Sequence, residues 1–150
     1  MKSWEETTKR LGKKGSHGEL IKGIKRNYFS SGKIRLSTVF KNGMKNGLQK
    51  EYLSSGRILC VTSFKDDKEN GKIICFYGFA ILESIIVNIE EGIAHDLERC
   101  FFKNGMLRYV TQWENGEING NMLTYLENGH PDEIFIYKHN SILYSKAAAL

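Results

Sequence analysis

The chain has 150 residues, of which 41% are hydrophobic and 26% are charged, and its formal net charge is +5. This composition is ordinary for a soluble folded protein. No apolar run approaches the roughly 20 residues that a membrane-spanning helix needs, and the polar N-terminus lacks the apolar stretch of a signal peptide. We therefore expect a cytoplasmic location.

Positive charge is concentrated near the start of the chain. Residues 1–50 carry 13 Lys or Arg and 3 acidic residues, whereas residues 51–150 carry 9 and 14. Such asymmetry is typical of a basic arm that meets phosphate or an acidic partner, and equally of a solvated surface. We treat residues 1–22 as a basic N-terminal segment or a degenerate leading repeat. The candidate residues for a basic patch are Lys9, Arg10, Lys13, Lys14, Lys22, Lys25 and Arg26.

A short motif then recurs along the chain. Phe40–Gly47 reads FKNGMKNG, Trp113–Gly120 reads WENGEING, and Phe64–Gly71 is a looser copy. Asn-Gly favours tight hairpin turns, because both residues tolerate positive φ. Each copy therefore predicts the end of one strand, a turn and the start of the next strand.

The motif belongs to a longer repeat. Gly23, Gly47 and Gly71 are spaced by 24 residues, and the frame then slips by one, resumes with Asp96 where Gly is expected and continues at Gly120. An aromatic residue follows each of these marks after five residues, which predicts a row of rings packed in a shared core. The ring positions are Tyr28, Tyr52, Phe76, Phe101 and Tyr125.

Between these marks the side chains alternate. Leu36, Thr38 and Phe40 point one way, together with Ile34, and the residues between them point the other way. A period of two is typical of strands and not of helices. The sequence therefore predicts an all-β fold, a meandering antiparallel sheet of stacked β-hairpin repeats over residues 23–146. Residues 147–150 resemble a vector-derived tail, and we exclude them from the fold prediction.

The units Tyr28–Ile34 (YFSSGKI) and Phe40–Gly47 resemble the variant MORN repeat of bacterial proteins. The resemblance covers roughly residues 23–140. It implies a sheet of stacked hairpins and a protein that is not an enzyme. It also implies a role as an immunity or antitoxin protein that binds a toxin, or as a membrane-associated or scaffold module.

The third unit, residues 77–91, departs from the pattern because apolar residues fill solvent-facing positions. It is either a central strand packed against the N-terminal segment or a face that binds a partner. The candidate protein-binding residues are Asp66, Asp67, Phe79, Glu83, Glu90 and Glu91.

No motif indicates an active site. Cys60, Cys75 and Cys100 lack metal-ligand spacing, and the third lies one repeat after the second, about 10 Å away, so we expect three reduced thiols. The histidines are scattered at turns, and there is no calcium loop or phosphate loop. We expect no catalytic residue, metal, cofactor or small-molecule substrate.

The leading hypothesis is a non-catalytic protein-binding module, a bacterial immunity or antitoxin protein that neutralises a toxin domain by direct contact. The alternative is binding of nucleic acid or an anionic membrane through the basic N-terminal segment, which would weaken steeply with salt.

Overall fold

The computed structural model describes residues 21–77 and 83–148. In these ranges every regular element is a β-strand, and eleven strands form one antiparallel sheet in which each strand pairs with the next in sequence. The prediction of a meandering sheet of β-hairpin repeats is confirmed. None of the described residues lies in a helix that is long and apolar enough to cross a membrane. The strands are β1 (Gly23–Tyr28), β2 (Ile34–Lys41), β3 (Met44–Tyr52), β4 (Ile58–Lys65), β5 (Lys68–Phe76), β6 (Glu83–Glu90), β7 (Ile93–Phe101), β8 (Leu107–Glu114), β9 (Glu117–Tyr125), β10 (Pro131–Lys138) and β11 (Ser141–Ala147).

One end of the sheet carries five two-residue turns, at residues 42–43, 66–67, 91–92, 115–116 and 139–140, and we call this end the turn edge. Both residues of the Asn42-Gly43 turn have positive φ, 52° and 81°, as type I′ hairpins require. The turns of successive units are hydrogen-bonded to each other. The amide of Asp67, for example, donates to the carbonyl of Lys45 at 3.0 Å.

The second Asn-Gly of each motif lies inside a strand as a β-bulge and does not begin the strand as expected. Residues 46–48 of β3 lie opposite the single residue Val39 of β2, and residues 119–121 lie opposite Gln112. Gly47 has a φ of 122°, and a Cβ there would lie 3.1 Å from Val39 Cβ. The positive φ and the close contact with Val39 therefore favour glycine at Gly47.

The third unit follows the same plan with different residues. Asp96 occupies the place of the bulge glycine and has a φ of 61°. Ile89 pairs with Gly71 in the way that Phe64 pairs with Gly47, so Ile89 holds the place of the aromatic residue. The slipped frame predicted from the sequence thus describes the backbone conformation correctly.

The alternation of side chains gives the sheet two faces. We call one the threonine face, defined by Thr38, Thr62 and Thr111, and the other the basic face, defined by Arg26, Lys50, Lys72 and Arg99. Every buried residue in the described ranges lies on the threonine face, and only Phe64 and Cys100 among them are apolar. The buried set is Thr38, Gln49, Thr62, Phe64, Cys100 and Thr111.

The predicted row of rings exists, but it does not form a core. Strand alternation places Tyr28, Tyr52, Phe76, Phe101 and Tyr125 on the basic face. None of them is buried, and Tyr28 is 47% exposed. The expectation of a shared core was wrong because, among the described residues, no second layer covers this face.

The expectation of three reduced thiols was also wrong. Cys60 and Cys75 form a disulfide across the β4–β5 hairpin, with their Cα atoms 4.1 Å apart. They are direct cross-strand neighbours, whereas Ile85 separates Cys75 from Cys100 in the same row. Cys100 remains a free, buried thiol.

The C-terminal tail takes part in the sheet. β11 includes Ala147, and the amide of Ala148 donates to the carbonyl of Asp132 at 2.7 Å.

Candidate interaction surface

Two of the acidic candidates, Asp66 and Asp67, form the β4–β5 turn at the turn edge. Asp67 Oδ1 accepts a hydrogen bond from the amide of Lys45 at 2.7 Å, and Asp66 Oδ1 accepts one from the side-chain amide of Asn46 at 2.9 Å. Both carboxylates therefore connect this turn to the preceding hairpin, and they have less capacity left for a partner.

Glu90 and Glu91 lie at the next turn of the same edge, where both are exposed. Glu91 forms an ion pair with Lys68 at 3.2 Å, and the two side chains are 69% and 61% exposed. An ion pair this exposed contributes little to stability. The turn edge thus gathers four of the six candidates.

The other two candidates are placed apart from that edge. Glu83 begins β6, opposite Phe76 of β5, at the far end of the strand from Glu90. The length of the strand separates them by roughly 23 Å. Phe79 lies outside the described residues. The six candidates therefore do not form one patch.

The basic candidates are also divided. Lys25 pairs with Thr38 on the threonine face, whereas Arg26 pairs with Ser37 on the basic face. Lys22 is exposed just before β1. Lys9, Arg10, Lys13 and Lys14 lie outside the described residues.

The two faces differ in charge. The two cross-strand rows in the middle of the basic face contain five cations and no carboxylate, whereas the row beside the turn edge mixes four lysines with Glu90, Glu114 and Glu117. The three rows of the threonine face hold five carboxylates, Glu51, Glu69, Asp96, Glu98 and Glu133, with Lys25 and Lys45. The cations of the two middle rows of the basic face are Arg26, Lys50, Lys72, Arg99 and Lys146.

Aliphatic side chains lie between these cations. Val61, Ile74 and Ile86 are consecutive cross-strand neighbours, and Lys50 and Arg99 occupy the positions on either side of them. We call these five residues the central row. The aliphatic members and Lys50 are half-buried, and Arg99 is exposed. Larger exposed apolar side chains continue the surface, namely Ile24, Leu48, Leu97, Ile136 and Tyr144.

A shallow groove opens on the basic face near β1–β3, with a volume of about 380 Å³. It combines aliphatic walls with the cations Arg26 and Lys50, which flank Ser37 in one row. Within the part of the chain that the structure describes, neither cation has an ion pair. The groove is lined by Ile24, Arg26, Ile34, Ser37, Val39, Leu48, Lys50 and Tyr52. Ile34 was expected on the other face, and the bulge beside it places it here.

The threonine face holds a hydrogen-bonded cluster around Glu98. Its carboxylate accepts hydrogen bonds from the Tyr109 hydroxyl at 2.6 Å and from Trp113 Nε1 at 2.8 Å. Burial, reinforced by Glu98, raises the pKa of Tyr109, and burial also raises the pKa of the Cys100 thiol. The phenol and the thiol are therefore held protonated, which suits a structural cluster and not a nucleophile.

Beside this cluster, Thr111 is 2% exposed and its hydroxyl has no hydrogen-bond partner. Among the described residues no group of three or more His, Cys, Asp or Glu side chains is arranged to hold a metal ion.

The difference in charge between the two faces was not predicted, although the sequence contains a signal for it. Arg26, Lys50 and Arg99 each stand three residues after a repeat mark, at Gly23, Gly47 and Asp96. Because the units repeat, these three residues hold the same place in their strands, so their side chains lie on the same face of the sheet. Positive charge therefore has to be counted for each face of the sheet, and not for each segment of the chain, to find the candidate interaction surface.

No protein-family model matches the chain, and no curated protein sequence matches it.

Proposed function

We propose that the protein is a non-catalytic binding module, a bacterial immunity or antitoxin protein that neutralises a toxin by direct contact in the cytoplasm. The observation that carries this proposal is the basic face, a broad surface of aliphatic, aromatic and cationic side chains that no described residue covers. In most folded domains, a sheet packs such an apolar face against a second layer of strands or helices. A partner protein that supplies this layer would bury the apolar side chains.

The repeat supports the same proposal. The hairpin units resemble variant MORN repeats, and the resemblance implies a non-catalytic protein of the immunity or antitoxin kind. Each unit contacts only its neighbours, so the array offers a long surface for its size.

The experiment is a neutralisation assay with the toxin candidate encoded beside the gene in its native host. The toxin domain is expressed alone and together with this chain, and growth is measured. We expect growth arrest with the toxin alone, rescue by co-expression, and a complex that co-elutes in size-exclusion chromatography. Arrest that persists at full expression of the chain would count against neutralisation.

A second candidate function is binding of nucleic acid or an anionic membrane, because the five cations of the two middle rows of the basic face share those rows with no carboxylate. The N-terminal residues Lys9, Arg10, Lys13 and Lys14 would add to that charge. Retention on heparin should then fall steeply with salt and should depend on residues 1–26. Retention that is indifferent to deleting this segment argues against the role of the N-terminal arm.

A further inference from the structure

We infer that the partner contacts the central row of the basic face, and that it presents an acidic protein surface with an apolar centre. This inference rests on the proposed function and specifies its contact. It moves the contact from the acidic turn edge, where Asp66 and Asp67 are hydrogen-bonded within the sheet, to the central row, where neither Lys50 nor Arg99 has an ion pair among the described residues.

The charge of the row defines the charge of the partner. Lys50 and Arg99 lie four strand spacings apart, a distance of roughly 19 Å. Within the described ranges neither has an ion pair, and Lys72 adds a third cation in the next row. Carboxylates at the two ends of a partner surface would pair with these cations.

The apolar centre defines the class of the partner. Val61, Ile74 and Ile86 form a continuous aliphatic strip between the two cations. An aliphatic centre with charged groups around it is the usual anatomy of a protein–protein interface. The ring of Phe76 continues this surface beside Ile74, two residues further along β5.

Nucleic acid fits the row less well. The phosphates of a nucleic-acid chain follow each other every few ångströms. A chain that lay along the central row would therefore place most of its phosphates against aliphatic side chains. A bilayer also fits less well, because Val61, Ile74 and Ile86 are half-buried and do not protrude into an acyl layer.

The test compares two double variants with the same change of charge. Lys50→Glu with Arg99→Glu reverses both ends of the central row. Arg57→Glu with Lys65→Glu reverses two exposed cations outside the central row, one just before β4 and one at its end, and serves as the control. Circular dichroism and thermal unfolding establish that both variants are folded. A third variant, Val61→Thr with Ile86→Thr, removes the apolar centre and keeps β-branched side chains.

The probes are a fluorescein-labelled glutamate-rich peptide with interspersed leucine and tryptophan, a thymidine oligonucleotide of matched charge, and phosphatidylserine vesicles. Binding of each probe to the purified full chain is followed by fluorescence anisotropy, or by co-sedimentation for the vesicles. We expect the peptide to bind the natural chain and the control alike, and to lose about tenfold or more in affinity with the central-row charge reversal. The threonine variant should also weaken binding.

Equal peptide affinity of the natural chain and the charge-reversed variant overturns the inference, as does the absence of peptide binding. Oligonucleotide or vesicle binding that exceeds peptide binding and disappears in the charge-reversed variant also overturns it, in favour of the second candidate function. The neutralisation assay separates the two proposals. Rescue that survives the charge reversal leaves the proposed function intact and refutes the contact, whereas absence of rescue by the natural chain refutes the function.

Discussion

At the scale of single residues, the bulge of each repeat decides which backbone conformations the chain must adopt. Gly47 has a φ of 122° and Asp96 has a φ of 61° at equivalent points. We expect Gly47→Ala to lower the free energy of unfolding by about 1–2 kcal/mol, because alanine is strained there and its Cβ meets Val39. Asp96→Gly should raise it by up to about 1 kcal/mol, since glycine removes the same kind of strain.

Urea denaturation measures both effects. Leu48→Ala is the control, since Leu48 shares the bulge, is 45% exposed and does not have a positive φ. If Asp96→Gly instead lowers the free energy of unfolding, the Asp96 carboxylate makes a contact that stabilises the fold by more than the positive φ destabilises it.

Tyr109 gives a second prediction at this scale, about pH. Burial is the main cause of its raised pKa, and the hydrogen bond to Glu98 adds to it. A tyrosine in the unfolded chain ionises near pH 10, while the folded form keeps its proton to higher pH. The stabilising contribution is therefore complete below pH 10 and is lost as the pH rises above it.

We expect Tyr109→Phe to show a shallower loss of stability above pH 10 than the natural chain, as measured by thermal unfolding between pH 8 and about 11. Tyr144 is 50% exposed, and Tyr144→Phe serves as the control for the loss of one phenol. Parallel pH profiles for all three chains would contradict the assignment.

At the scale of the element, the β4–β5 hairpin is held by its disulfide. The bond joins Cys60 and Cys75, with a sequence separation of 15. Closing a loop of this length stabilises a fold by about 3 kcal/mol through the entropy of the unfolded chain. We expect dithiothreitol to lower the urea midpoint of the natural chain accordingly.

The variant Cys60→Ser with Cys75→Ser should match the reduced protein and show no response to dithiothreitol. Cys100→Ser keeps the disulfide and should respond as the natural chain does. A natural chain whose midpoint is unchanged by reduction, with thiol alkylation proving that the bond has opened, would refute the prediction.

In the same hairpin the turn could be predicted from the sequence, but the pairing of the two cysteines could not. The turn at residues 66–67 was predictable from the repeat of the Asn-Gly motif. Counting back from that turn without a bulge places Ile73 opposite Cys60. The bulge at residues 70–72 shifts the register by two residues and brings Cys75 there instead. Sequence alternation alone contains no signal for this shift, so the disulfide was missed.

For the whole molecule, the repeat predicted the antiparallel arrangement of consecutive strands but not the contents of the two faces. The residues that share a face are determined by the strand register, and each bulge shifts that register. Lys50 and Arg99 are far apart in sequence, and they lie in the same cross-strand row only because of these shifts. The acidic candidates show the limit. Glu83 and Glu90 are close in sequence, yet they are the first and last residues of β6 and therefore lie at opposite ends of that strand.

The open sheet also predicts an uneven distribution of stability along the molecule. Among the described residues the two outer strands pair on one side only, and every residue of β11 is exposed. β4 has two paired neighbours, the buried residues Thr62 and Phe64, and the disulfide to β5. In a repeat array each unit is stabilised by its neighbours, so terminal units open more readily than central ones.

Amide hydrogen exchange measured by mass spectrometry should therefore show the slowest exchange in β4 and β5 and the fastest in β11, with intermediate rates in β8 around buried Thr111. The disulfide variant described above is the internal control, because it should speed exchange in β4 and β5 while leaving β11 unchanged. Exchange of β11 as slow as that of β4 would mean that the outer edge is paired in solution. A second chain added at that edge would then be part of the folded state, because unpaired edge strands readily accept further strands.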